Sequence, residues 1–243
     1  MLQLRSAELS LDQLQALARR LELMPQLLRR QIEEEITALV PLPDDWLAEQ
    51  RQALLADQPL NDFLSSRGWQ QEDLDLHLRR PEALRRFAEQ LFAPGLEEQF
   101  LGASGGRDTI IYSLLRVKDP GLARELWIRL EEGEISFAEA ASRFSEGPEA
   151  NRKGVMGPMA IGVLQPPQLA EMLRSLAVGQ IRPPQQLGEW QVLLRLEQLT
   201  PARFDAPMRQ QLLEEQLESF LSARVEQLLA GESPDPLPYH SEP

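Results

Sequence analysis

The chain has no cysteine, only two lysines (Lys118 and Lys153), and only two histidines, His77 and His240, far apart in sequence. Without cysteine there is no disulfide, no thiolate nucleophile and none of the usual zinc clusters. Two isolated histidines give a Ser-His-Asp triad or a multi-histidine metal site nothing to be built from. No metal and no redox cofactor is therefore expected. Positive charge is scarce as well: 25 Lys plus Arg stand against 38 Asp plus Glu in 243 residues, a formal net charge of -13. Such an acidic surface repels phosphate backbones and anionic headgroups, which counts against nucleic acid and membrane surfaces as partners. No run approaches the roughly 18 apolar residues of a membrane span, and the N-terminus lacks the apolar core of a signal peptide. A soluble, cytoplasmic protein is expected. The hydrophobic fraction of 42% is enough for a folded core, and the length suits one large domain or two of ordinary size.

What is present changes character near residue 105. Up to about residue 102 the chain reads as successive amphipathic helices. Ser10 and Gln13 form a capping-box pattern ahead of Leu14, Leu17, Ala18 and Leu21. Pro25 suits the first turn of a helix bearing Leu28, Ile32, Ile36 and Leu39, with Glu33-Glu34-Glu35 read as a solvated face. Pro41 and Pro43 stop it. Further helices carry Trp46, Leu47, Leu54 and Leu55, then Leu60 to Leu64 ending at Gly68, then Leu74 to Phe92 with an interruption at Pro81. These leucines are read as core, and His77 as a surface residue.

Gly102-Ala103-Ser104-Gly105-Gly106-Arg107 reads as a linker. No Gly-Lys-Ser/Thr follows it and the next segment is strand-like, so a phosphate loop is not supported. Thr109 to Val117 and Gln191 to Leu196 have strand composition. Between them lie helices over 121–130, 136–144 and 169–176, with a Gly/Pro-punctuated loop at 145–168, an order that suits a small α/β sandwich. Ala206 to Leu229 is one long amphipathic helix with Pro207 in its first turn and Met208, Leu212, Gln216, Phe220 and Leu228 on its inward stripe. It needs an apolar partner, and the N-terminal bundle is the natural one. The expected fold is therefore α+β: a helical domain over 1–105, a sandwich over 106–202, a returning helix over 203–230 that packs on the helical domain, and a disordered tail over 231–243, His240 included.

The middle of the chain resembles the parvulin-type, PpiC-like peptidyl-prolyl cis-trans isomerases. Gly133-Glu134-Ile135-Ser136-Phe137-Ala138-Glu139-Ala140-Ala141-Ser142-Arg143-Phe144-Ser145-Glu146 matches a family block with one extra residue between Gly133 and Phe137. Lys153-Gly154-Val155-Met156-Gly157-Pro158-Met159 stands at the family's Gly-rich loop, Val178-Gly179-Gln180-Ile181-Arg182-Pro183-Pro184 at its turn, and Gly188-Glu189-Trp190-Gln191-Val192 at its last strand. The helical ends, through residues 25–34 and 68–74, are similar to the SurA-type chaperone modules that carry such domains. The resemblance implies a parvulin-like isomerase and chaperone that binds unfolded, leader or Pro-containing polypeptide segments.

It also implies a depleted site. Leu114 and Trp190 occupy the positions where the family has its two usual active-site histidines, Gly147 falls where a Cys or Asp often stands beside the pocket, and Val155 replaces a loop glycine. Met156, Met159 and Leu164 stand where proline-contacting side chains are placed. The substrate-binding set implied is thus Leu114, Met156, Met159, Leu164 and Trp190, with weak or absent catalysis; no catalytic residue is assigned. Two roles stay open for Trp190, a wall of the pocket or a plug in it, and Met156 and Met159 are open between anchoring their loop and touching substrate. The alternative to a folding enzyme is a non-catalytic peptide-binding adaptor or scaffold.

Overall fold

The computed structural model describes residues 10–56 and 58–239; His240 and the end of the expected tail lie outside them. The chain divides into two compact units, Met1–Glu97 with Asp205–Pro243, and Glu98–Phe204.

The first unit is helical: α1 (Leu11–Arg20), α2 (Met24–Leu39), α3 (Asp44–Leu55), α4 (Leu60–Arg67), α5 (Gln71–Phe92) and, from the other end of the chain, the last helix of the fold, Ala206–Leu229. The capping box at α1 forms as read, with the Ser10 hydroxyl accepting from the Gln13 amide at 3.3 Å and the Gln13 side chain accepting from the Ser10 amide at 2.9 Å. The C-terminal helix packs against α2 and α5, so the bundle is closed by residues from both chain ends. Its core joins Ile32, Ile36, Val40, Leu42, Ala83, Phe87, Leu221 and Val225.

Four expectations for this unit change. Pro81 does not interrupt α5: the helix runs through it, because Leu74 on one side and Ala83 and Phe87 on the other are buried and offset the lost backbone bond. Glu33 is not solvated. It is 3% exposed, shares the inward face with Ile32 and Ile36, and accepts hydrogen bonds from Arg29 at 3.0 Å and Arg30 at 2.5 Å. Leu14, Leu17, Leu21, Leu39 and Leu54, expected in the core, are exposed. The stretch 231–239 is not a free tail: Leu237 and Tyr239 pack against the bundle core, and Tyr239 stacks on Phe87 with centroids 6.0 Å apart. Four prolines pointed to disorder, yet two apolar anchors between them are enough to hold the segment. His77 is exposed and lies against Trp69.

The second unit opens with most of α6 (Leu96–Arg107), followed by β1 (Thr109–Val117), α7 (Pro120–Glu131), α8 (Phe137–Phe144), β2 (Val155–Ala160), α9 (Pro167–Arg174), β3 (Ile181–Leu187) and β4 (Trp190–Thr200); the returning helix is therefore α10. The expected linker at 102–107 is thus the end of a helix. Its small residues permit a close approach: a side chain at Gly162 would collide with the Gly106 carbonyl, Arg174 donates to the Gly105 carbonyl at 3.0 Å, and Phe100 packs on Phe204.

The sheet is antiparallel throughout, in the order β2-β1-β4-β3. The two strands legible in the sequence are its centre. The two that were read as loop and turn are its edges, where Gly157-Pro158 and Pro183-Pro184 are tolerated because an edge strand leaves amide positions unpaired. Alternation along β1 sends Ile110, Tyr112 and Leu114 to a layer shared with α9, and Leu115 and Val117 to the layer under α7 and α8.

Candidate functional site

On the α9 side of the sheet a cavity of about 370 Å³ opens between β1, β2, the β3–β4 hairpin and the start of α9. Leu114, Met156 and Trp190, three of the five residues expected there, meet in its wall. Met159 and Leu164 do not line it. Met159 packs against the core cluster beneath, and Leu164 is buried within that cluster beside Ile110, Ile161 and Leu169. The rest of the wall comes from Tyr112, Leu169, Leu187 and Val192, with Gln165, Pro166 and Gly188 at its margin and one charged residue, Arg116.

Arg116 is where the sequence reading missed the site. Leu114 and Arg116 are two apart on β1, so the same alternation that places one in the wall places the other there. That signal was available in the sequence. What holds Arg116 was not: Glu149, whose side chain is 0% exposed, lies in the 3-10 turn Pro148–Arg152. Arg116 Nε donates to the two Glu149 carboxylate oxygens at 2.9 and 3.0 Å, and Nη2 donates to Oε2 at 2.6 Å. The Ser145 hydroxyl donates to Glu149 Oε1 at 2.5 Å and accepts from the Arg116 amide at 3.1 Å. Burial pushes the Glu149 carboxyl up, but the hydrogen bonds from Arg116 and Ser145 outweigh it and hold the group below the ordinary carboxylate value. Burial raises the neighbouring Tyr112 hydroxyl above its ordinary value.

Gly147 explains how the pair fits. A Cβ there would fall on Arg116 Nε and on both carboxylate oxygens of Glu149. The position where the resembling family often carries a Cys or Asp is here emptied of any side chain, and an ion pair fills the space. The site is therefore not without a polar group; its polar group is of a different kind and sits at a different place.

Trp190 forms part of the wall and is only partly buried. Two cations approach its ring, Lys118 Nζ at 4.9 Å and Arg116 Cζ at 5.8 Å from the centroid, a geometry that favours one indole orientation. Lys118 in turn pairs with Glu189 at 3.1 Å. Among the described residues no cluster of three or more His, Asp or Glu side chains is arranged to hold a metal ion, and no helix is long and apolar enough to cross a membrane.

The arrangement offers an apolar recess walled by sulfur, indole and aliphatic groups, with one tethered guanidinium. No imidazole lines it, and its polar side chains are those of Tyr112, Gln165 and Arg116.

Comparison with known proteins agrees with this geometry. Residues 121–197 match the model of the rotamase family, the PPIC-type PPIase domain. No curated relative matches the chain by sequence. Among solved structures, the peptidylprolyl isomerase PrsA of Bacillus cereus covers 97% of this chain and 92% of its own at 17% identity and a TM-score of 0.51, which establishes a shared fold. PrsA of Bacillus anthracis covers 86% of this chain and all of its own at 17% identity and a TM-score of 0.45. A structure described with the SurA-like chaperones of Campylobacter jejuni covers 80% of this chain and 87% of its own at 16% identity and a TM-score of 0.38. The sandwich between the helical segments is a parvulin domain of the PPIC type.

Proposed function

We propose that this protein handles polypeptide segments: it binds unfolded or Pro-containing stretches in the parvulin cavity, with weak or absent isomerase turnover, and its helical unit serves the chaperone role that the resemblance to SurA-type modules implies. The observation that carries the reading is the cavity itself, apolar on most of its wall and built on the domain that matches the PPIC-type family.

Turnover and binding come apart for a physical reason. Rotation about the prolyl bond meets a barrier of about 18–20 kcal/mol from amide resonance. Catalysis requires the site to hold the twisted amide better than the planar one, whereas binding requires only that both be held. Removing apolar surface from water contributes roughly 25 cal/mol per Å² to either form. Neither histidine of the chain falls within residues 98–204, so the polar groups that orient substrate in the resembling family have no counterpart there, and binding is expected to outlast catalysis.

The test is a pair of measurements on one X-Pro peptide: NMR exchange or protease-coupled turnover, beside a binding titration. Binding with little turnover supports the reading. Acceleration at the level typical of parvulins would remove its inactive half. Met156→Asp, which places a charge on the cavity wall, should abolish binding; unchanged affinity would move the peptide surface to the helical unit. Trp190→His separates the two roles of the indole, since turnover rises only if Trp190 obstructs the site. The adaptor reading is favoured by one observation, the cations that hold the Trp190 ring at the cavity wall.

A further inference from the structure

Arg116 has five N–H groups to place. Nε and Nη2 are committed to Glu149. Nη1 has no hydrogen-bond partner among the described residues, although the side chain that carries it lines the cavity and is 27% exposed. Three features fix this guanidinium in place: the bidentate carboxylate, Ser145 bonded behind that carboxylate, and the space left by Gly147. A donor prepared in this way loses little conformational freedom on binding.

The charge around that donor decides what it accepts. Glu149 is fully buried and ionised, and it compensates the guanidinium directly. The other cation at the Trp190 ring, Lys118, is compensated by Glu189. The cavity therefore presents N–H groups without a net positive charge. A carboxylate entering it gives up hydration and recovers little Coulomb energy, whereas a neutral carbonyl loses far less on leaving water.

We propose that Arg116 is the specificity-determining residue of this cavity: its Nη1 donates to a neutral carbonyl of the bound segment, and the Arg116–Glu149 pair selects neutral residues over acidic ones next to the proline. The inference rests on the peptide-binding reading above. It adds the chemical class of the client at the contact point and assigns Glu149 the role of a positioning residue.

Two peptides that differ only as Gln-Pro against Glu-Pro, titrated into the full chain while the assigned Trp190 indole resonance is followed, separate the possibilities. The wild type should bind Gln-Pro more tightly. Glu149→Gln keeps the shape of the buried side chain and uncovers the charge of Arg116, so the ratio should shift toward Glu-Pro by about tenfold, the equivalent of 1.4 kcal/mol. Arg116→Met alone leaves a buried carboxylate unpaired and endangers folding. The double variant Arg116→Met with Glu149→Gln avoids this, and should weaken Gln-Pro binding and abolish the difference between the peptides. Binding at Trp190 with affinity and peptide ratio unchanged in both variants would overturn the inference and leave the peptide-binding reading standing. No wild-type binding of either peptide would overturn both.

Discussion

The two units of this chain deal with charge in opposite ways. The helical unit, residues 1–97 and 205–243, holds 13 Lys plus Arg against 25 Asp plus Glu; the sandwich, 98–204, holds 12 against 13. Nearly all of the chain's net charge of -13 therefore belongs to the helices, and the electrostatic argument against phosphate backbones applies to that unit and not to the near-neutral sandwich. The cores differ too. The bundle adds a run of aromatic contacts to its aliphatic core, Phe87 lying 5.6 Å from Phe220 and 6.0 Å from Tyr239. The sandwich buries aliphatic layers on both faces of its sheet and places its one fully buried carboxylate, Glu149, behind the cavity. A whole-chain composition averages over these solutions and describes neither.

The sharpest way to break this comparison is to damage one unit and follow both. Trp46 and Trp69 report on the helices, and Trp127 and Trp190 on the sandwich, so tryptophan variants separate the two signals in urea. Phe87→Ala empties a site that is 0% exposed and should cost the helical transition about 3–5 kcal/mol, with the sandwich transition unmoved. Equal shifts in both transitions would show that the units do not unfold independently. Arg116→Ala is the reciprocal experiment. It strands the buried Glu149 carboxylate and should cost the sandwich about 3 kcal/mol, while the helical transition stays in place.

Acid sharpens the contrast further. The Glu149 carboxyl has a lower pKa folded than unfolded. Its contribution is therefore complete above the ordinary carboxylate value of about 4.3 and is lost as the pH falls through the folded value. Ser145→Ala removes one of the bonds that depress it, so the acid loss of sandwich stability should be smaller than in the wild type and finish at a higher pH. An unchanged acid limb in the Ser145→Ala sandwich would show that another group governs it. The smallest effect is expected at the chain end. Tyr239→Ala removes one stacked pair from the bundle and should cost about 1 kcal/mol, read as a shift of the helical transition alone. No shift at all would mean that 232–239 contributes nothing to the bundle.

Local grammar made much of this protein legible. The capping box at Ser10, the bounds of α10, the Ser136 cap of α8 and the two central strands follow from periodicity and capping chemistry, which act within a few residues. Leu114, Met156 and Trp190 reach the cavity from three separate segments, and the ordered motifs of the parvulin resemblance were enough to nominate them. Arg116 was within reach of the same reading, two residues along its strand from Leu114.

Other features were decided only by packing. The edge strands β2 and β3 contain prolines that oppose a strand reading, and only their place at the sheet margin makes those prolines tolerable. The glycines of 102–107 read as a linker because nothing in sequence shows that the turn at Gly162 approaches them closely enough to need small residues. Burial of Glu33 depends on which face of α2 meets the bundle. Glu149, 33 residues from Arg116, looked like one more acid in an acidic chain. Its partnership needs β1, the Ser145 turn and the vacancy at Gly147 at one point in space. The sequence by itself determined where the capped helices α1, α8 and α10 and the two central strands lie, because those choices depend on near neighbours. Only the tertiary structure decided which charges are paired, since an ion pair between distant segments exists where the fold brings its two halves together.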